Sequence, residues 1–145
     1  MTQVLAFSVD DRDARTKFSK LAHPDKQRML DGIGYIIENS WVNEAQKMGL
    51  VDKGGYINSI HHVLGSDHVV IQDSVPYGWF LEKGTRPHPI TPVSKKALNW
   101  DGAAHPVKKV MHPGTKAYRP AEKGLLNSRS KLTSFVSAEY KRLAK

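Results

Sequence analysis

Val75-Pro76-Tyr77-Gly78-Trp79-Phe80-Leu81-Glu82-Lys83-Gly84-Thr85-Arg86-Pro87-His88-Pro89-Ile90-Thr91-Pro92 is the stretch that decides the fold. Its first half predicts one short helix. Pro76 suits a first helical turn, Tyr77, Phe80 and Leu81 recur at helical spacing, and Gly84 is placed to end the helix in a left-handed cap. Its second half excludes helix, because Pro87, Pro89 and Pro92 each push the preceding residue toward extended geometry. The chain is therefore expected to leave the helix straight. Trp79 and Phe80 share the helix with Leu81 and are expected in the core rather than as a base-stacking platform. Glu82, just ahead of the glycine, is expected to make an ion pair or to accept hydrogen bonds from backbone amides; a general base is the weaker reading.

Upstream, residues 3–9 alternate loosely and predict an edge strand. Asp10 and Asp11 are placed to cap a short helix bearing Ala14, Phe18 and Leu21. Pro24 and Asp25 then open a longer helix whose apolar stripe, Met29, Ile33, Ile36, Ile37, Trp41, Ala45 and Met48, keeps the i, i+3/i+4 rhythm up to a cap at Gly49. Gly32 and Gly34 each cost this helix about 1 kcal/mol relative to Ala, which tertiary packing must offset; close helix approach at the glycines is one such gain. After Lys53-Gly54-Gly55, residues 56–60 read as a helical turn or as the lead-in to a strand. Residues 61–64 and 68–72 predict a β-hairpin across Gly65-Ser66-Asp67.

Downstream, residues 97–100 and 107–111 are strand candidates. His112-Pro113-Gly114-Thr115 suits a type II turn. Pro120 opens a C-terminal helix with Ala121, Leu125, Leu132, Val136 and Leu143 on its apolar side, and Lys141, Arg142 and Lys145 at the negative end of its dipole. Helices, then strands, then a helix predict an α+β fold, with a small antiparallel or mixed β-sheet against N-terminal, short central and C-terminal helices. At 145 residues and 39% hydrophobic, one domain is expected over 1–145. Its helices should fill about 11–48, the sheet with its central helix about 56–112, and the last helix about 120–143.

Cysteine is absent, so no disulfide framework or thiolate metal site exists. No basic region precedes the short apolar run at the start, and no apolar stretch approaches spanning length, so a soluble chain without membrane association or export signal is expected. Charge is uneven. Residues 1–82 hold 8 Lys and Arg against 11 Asp and Glu, net −3, and residues 83–145 hold 14 against 3, net +11. Such polarity implies a partner of opposite sign, nucleic acid or the acidic face of another subunit, unless it is simply a solvated basic surface.

The seven histidines invite a metal reading. Neighbours His61 and His62 fall on opposite faces of a strand, which defeats a shared ligand set. His23, His88, His105 and His112 each precede proline and read as chain-straightening pairs at element boundaries. A zinc site built in the fold from His61, His68, His88 and His112 is the metal alternative. No HExxH, nucleophile elbow, phosphate-cradling loop or dinucleotide fingerprint occurs, so neither a catalytic site nor a cofactor is expected.

Three pieces, in order, carry a resemblance. Residues 77–88, with Tyr77-Gly78, Leu81-Glu82 and Gly84-Thr85, the Gly54-Gly55-Tyr56-Ile57-Asn58-Ser59-Ile60 segment, and Val110-Met111-His112-Pro113-Gly114-Thr115-Lys116 ahead of a helix resemble a family of small tail-component proteins from long-tailed bacteriophages. The chain departs from that pattern at Tyr56, Lys83 and Arg119-Pro120. The resemblance implies a non-enzymatic virion protein at the head-tail neck or tail end, acting in head-tail joining, tail completion or tail termination. It also implies a homo-oligomeric ring around the DNA channel, hexameric as a rule and twelvefold nearer the portal. Its partners would be the portal-side connector, the tail tube, and, non-specifically, genomic DNA. Tyr77, Glu82, Gly84, Thr85, His112, Pro113 and Gly114 are its motif residues; Arg86, His88, Lys95, Lys96, Lys108 and Lys109 are candidates for interaction, with 86–92 as an arm toward the next protein. A basic DNA-binding module and a histidine-metal hydrolase are the competing classes.

Overall fold

The computed structural model describes residues 3–4, 12–51 and 53–144, so the expected caps Asp10 and Asp11 and most of the 3–9 strand lie outside the described residues. The described elements are β1 (Gln3–Val4), α1 (Arg12–Ser19), α2 (His23–Lys47), a 3-10 turn (Ile57–Ser59), β2 (His61–Leu64), β3 (Val69–Asp73), α3 (Gly78–Lys83), β4 (His88–Ile90), β5 (Val110–His112) and α4 (Pro120–Leu143). The fold is α+β. No helix among the described residues is long and apolar enough to cross a membrane.

Helix α2 is the spine. Met29, Ile37, Trp41 and Ala45 of its stripe are buried, and Gly49, with φ +72°, follows its last turn. Around Ile37, Trp41 and Ala45 gather Tyr56, Ile60, Ile71 and Ala121, one side chain or more from each neighbouring layer. Fully burying each large apolar side chain stabilises the fold by about 1.5–3 kcal/mol. Helix α4 runs antiparallel to α2. Ser40 Oγ donates to the Gly124 carbonyl at 2.7 Å, and at the far end Arg142 bridges Asp25 (2.8 Å) and Glu139 (3.0 Å) while Arg28 meets Glu139 at 3.2 Å. A Cβ on Gly124 would press into the Trp41 backbone, so the crossing is as close as two helix backbones allow. The expected close helix approach occurs at Gly32, which faces the Phe135 ring of α4, whereas Gly34 faces His62 and Val69 of the β2–β3 hairpin instead.

The first sheet has the order β1-β3-β2, antiparallel throughout, with His61 opposite Gln72 and Gln3 opposite Asp73. The hairpin is as expected, with Gly65 N–H donating to His68 O at 2.8 Å across its turn. A second sheet pairs β4 with β5, His88 opposite His112 and Ile90 opposite Val110. The proline-rich segment is extended as expected, and over His88–Ile90 it is a paired strand, tolerated because Pro89 sits in a two-stranded ribbon where its missing N–H faces no third strand. Of the two later strand candidates, 97–100 is no strand, contributing only the Leu98–Val107 bridge, and 107–111 is one only from Val110, where β5 begins.

Candidate functional site

Two Gly-Thr pairs, Gly84-Thr85 and Gly114-Thr115, lie antiparallel against each other. Thr85 N–H donates to Thr115 O at 2.9 Å, and Thr115 N–H returns to Thr85 O at 3.2 Å and to Thr85 Oγ1 at 2.8 Å. A Cβ on Gly84 would collide with the Thr115 carbonyl oxygen, and one on Gly114 with that of Thr85. Both glycines have positive φ, +71° and +92°. Gly84 ends α3 as expected, but its ψ of −178° is not the left-handed helical cap; it is an extended, glycine-only geometry that aims the chain into β4. The expected type II turn at 112–115 is also altered. Thr115 N–H is spent on Thr85, and Gly114 N–H donates to His112 Nδ1 at 3.1 Å.

Helix α3 begins at Gly78, with Pro76 in the turn before it. Its buried face is Gly78 and Glu82, and this overturns the core reading of Trp79 and Phe80, which are 51% and 49% exposed. Lys83 Nζ lies 5.7 Å from the Trp79 ring centre. Glu82 accepts the backbone N–H of Ala121 (3.1 Å) and Glu122 (3.2 Å), the amide alternative expected for it. It thereby caps α4, whose own N-cap residue Arg119 is left-handed at φ 56° and supplies no side-chain cap. Tyr77 lies beside Tyr56, ring centres 6.4 Å apart, and Trp41 Nε1–H donates to the Tyr56 hydroxyl at 2.9 Å. Burial, with Asp73 and Glu82 nearby, pushes the Tyr56 hydroxyl pKa far up despite the Trp41 hydrogen bond. Sequence reasoning missed Asp73: it is fully buried against Gly78, and neither carboxylate oxygen has a well-formed hydrogen bond among the described residues. Desolvation raises its pKa, offset in part by the nearby Val75 amide and reinforced by Glu82. An aspartate ending an apolar strand reads as a turn signal, which is why the sequence conceals it.

The four histidines of the metal alternative are not brought together. His88 and His112 face each other across the ribbon, ring centres 5.1 Å apart, while His61 is held by Ser59 O and Gln72 and His68 by Asp67. Among the described residues no group of three His, Asp or Glu is placed to hold a metal ion.

The outward residues divide by charge. Arg86, His88, Lys95, Lys96, Lys108, Lys109 and Pro113 are exposed on the ribbon and its loop, where Ile90, Leu98, Trp100, Val110 and Met111 line a groove of about 350 Å³. Lys108 and Lys109 lie not on a strand but on the link between the Leu98–Val107 bridge and β5. Of the C-terminal basic group, Arg142 is bound to Asp25 and Glu139 rather than free for a partner. On the other side, Glu38 Oε2 meets His62 Nδ1 at 2.6 Å and Asp31 meets its Nε2 at 3.1 Å. Burial would lower the His62 pKa, but the Glu38 and Asp31 hydrogen bonds outweigh it and raise it. No family model, curated protein or solved structure matches the chain.

Proposed function

We propose that the chain is a non-enzymatic structural subunit of a homo-oligomeric ring at the neck or tail end of a long-tailed bacteriophage virion. The observation that carries this reading is the convergence of the three resembling segments. Tyr56 meets Tyr77, Gly84-Thr85 meets Gly114-Thr115, and Glu82 closes the start of α4, so residues spread over 56–122 build one joint. Glu82, Gly84, Thr85 and Gly114 of the motif are held in hydrogen bonds or close backbone contacts there, and among the described residues those contacts are structural rather than nucleophile–base pairings, which supports a non-enzymatic reading. The motif thus acts as a rigid frame that sets the ribbon against the helices, and the chemistry left at the surface is charge suited to neighbours.

The test is assembly. Native mass spectrometry of the purified chain, alone and with tail tubes or head connectors, should show a monomer or small oligomer that becomes a defined ring on the particle. A monomer that never enters particles would sink the reading. The second reading, a sequence-independent DNA-binding module, is favoured by one observation: four exposed lysines share one ribbon joint with no acidic partner among the described residues.

A further inference from the structure

We infer that the apolar groove of the β4–β5 ribbon, flanked along the chain by Lys95, Lys96, Lys108 and Lys109, receives the acidic α2 face of a second copy of this chain, so that copies join head to tail. This rests on the ring reading and names the surfaces that would make the ring. The groove's charge follows from topology. Ile90 pairs with Val110 and the next bridge joins Leu98 to Val107, so residues 91–97 lie on one side against 108–109 on the other. The longer side must bulge and carries Lys95 and Lys96; the short side is Lys108 and Lys109. Four exposed cations thus flank one joint, a positive patch that an acidic surface complements.

The floor decides what brings that charge. Trp100 and Met111 are 51% and 60% exposed beside Ile90, Leu98 and Val110. A phosphate backbone would answer the lysines and leave this apolar floor in water, since phosphate contacts are polar. A protein surface with carboxylates around an apolar centre answers both. This chain carries one. Asp31, Tyr35 and Glu38 stand at i, i+4 and i+7 on one face of α2, with Tyr35 62% exposed and Leu64 of β2 also exposed. Gln27 Nε2 donates to Gly65 O at 3.0 Å, which holds the hairpin turn with its exposed Asp67 beside that face. Two carboxylates against one imidazolium leave the His62 cluster negative even when His62 is protonated.

Groove and α2 face are different surfaces on different sheets, so the contact is heterologous: each copy receives one neighbour and enters another, a pattern that closes as a ring or runs on as a filament.

The absence of cysteine permits a direct test. Tyr35→Cys and Met111→Cys in one chain, treated with a short bis-maleimide after assembly on particles, should give a ladder of covalent multimers. Mixed single variants should give one heterodimer band and no ladder. In a second arm, Lys108→Glu/Lys109→Glu should reduce ring formation at least tenfold, and Asp31→Lys/Asp67→Lys in the same chain should restore it in part. Rings without a ladder, or homodimers from either single variant, would overturn these surfaces while leaving the ring reading intact. Tight duplex DNA binding lost in Lys108→Glu/Lys109→Glu, with rings unaffected, would give the groove to nucleic acid. Absence of any ring with wild-type chain and particles would remove the function reading and this inference together.

Discussion

Glu82 caps Ala121 from 39 residues away: its Oε2 accepts the Ala121 N–H at 3.1 Å in a buried site, and Oε1 takes the next amide. A helix start normally draws its cap from the residue just ahead, but Arg119 there offers none. The carboxylate also sits at the positive end of the α4 dipole, where an anion is favoured. Glu82→Ala should therefore cost about 2–4 kcal/mol in urea unfolding, combining the lost cap with stranded amides. Glu82→Gln should cost nearly as much, because its NH2 would face one of two N–H donors. A loss below about 0.5 kcal/mol for both variants would show that water replaces the cap, since surface changes without such a role fall in that range.

Gly84→Val should lower stability by about 3 kcal/mol or more, combining a β-branched residue at positive φ with collision against the Thr115 carbonyl. Gly114→Val should match it, since the two glycines play reciprocal parts in the joint. Thermal melting of each purified variant measures this. Wild-type melting of either one would mean that the paired Gly-Thr arrangement does not hold the ribbon to the helices.

His62 predicts a pH dependence. Its folded pKa is raised above the ordinary 6.5, so the stability from its bonds to Glu38 and Asp31 is fully present below pH 6.5 and is lost as pH rises through the raised value. His62→Gln should destabilise by about 1 kcal/mol at pH 6 and by less at pH 9. Urea midpoints of both proteins at the two pH values give the comparison. A difference that grows with pH would contradict the ion-pair role.

Much of this frame is legible in the sequence where periodicity is long or turn chemistry specific. The α2 stripe declares itself through its helical rhythm, and the Leu64–Val69 hairpin through two β-branched runs split by Gly65-Ser66-Asp67. Helix α3 is legible as a helix ending at Gly84, but its buried face is not, because six residues offer a single buried face and a glycine and a carboxylate occupy it; the general tendency of aromatics to be buried then misplaces Trp79 and Phe80. The β4–β5 pairing is concealed by Pro89, since a proline inside a run argues against a strand unless the ribbon has only two members. Glu82 was legible as an amide acceptor but not its target, because a bond across 39 residues leaves no local trace.

Asp73 should make the protein less stable as pH rises. Its buried carboxyl has a folded pKa above the unfolded 3.8, so the native state binds more protons between the two values and stability falls across that window. Asp73→Asn should remove the charge without changing shape, stabilising the protein by about 1–3 kcal/mol at pH 7. The gain should vanish below pH 3.8, where the wild-type group is protonated in both states. Denaturation across pH 3 to 7 tests it, and an Asp73→Asn protein less stable than wild type at pH 7 would show that the ionised group has a partner.

The +11 of residues 83–145 predicts weaker DNA binding than its size suggests. Part of that charge is already answered inside the chain, since Arg142 is bound to Asp25 and Glu139, and Arg119 lies 3.5 Å from Glu122. The unanswered lysines at 95–96 and 108–109 flank the apolar groove along the chain, and a second copy seated there, as inferred above, would keep phosphate out. A ring that released DNA during ejection would also be poorly served by a lumen that clamps it. Each neutralised phosphate contributes about −0.9 to the slope of log K against log salt, so the assembled ring should show a slope no steeper than about −2. Salt titration of duplex binding measures it. A slope several times steeper, abolished by Lys95→Glu/Lys96→Glu with assembly intact, would place those lysines against DNA and reverse the assignment.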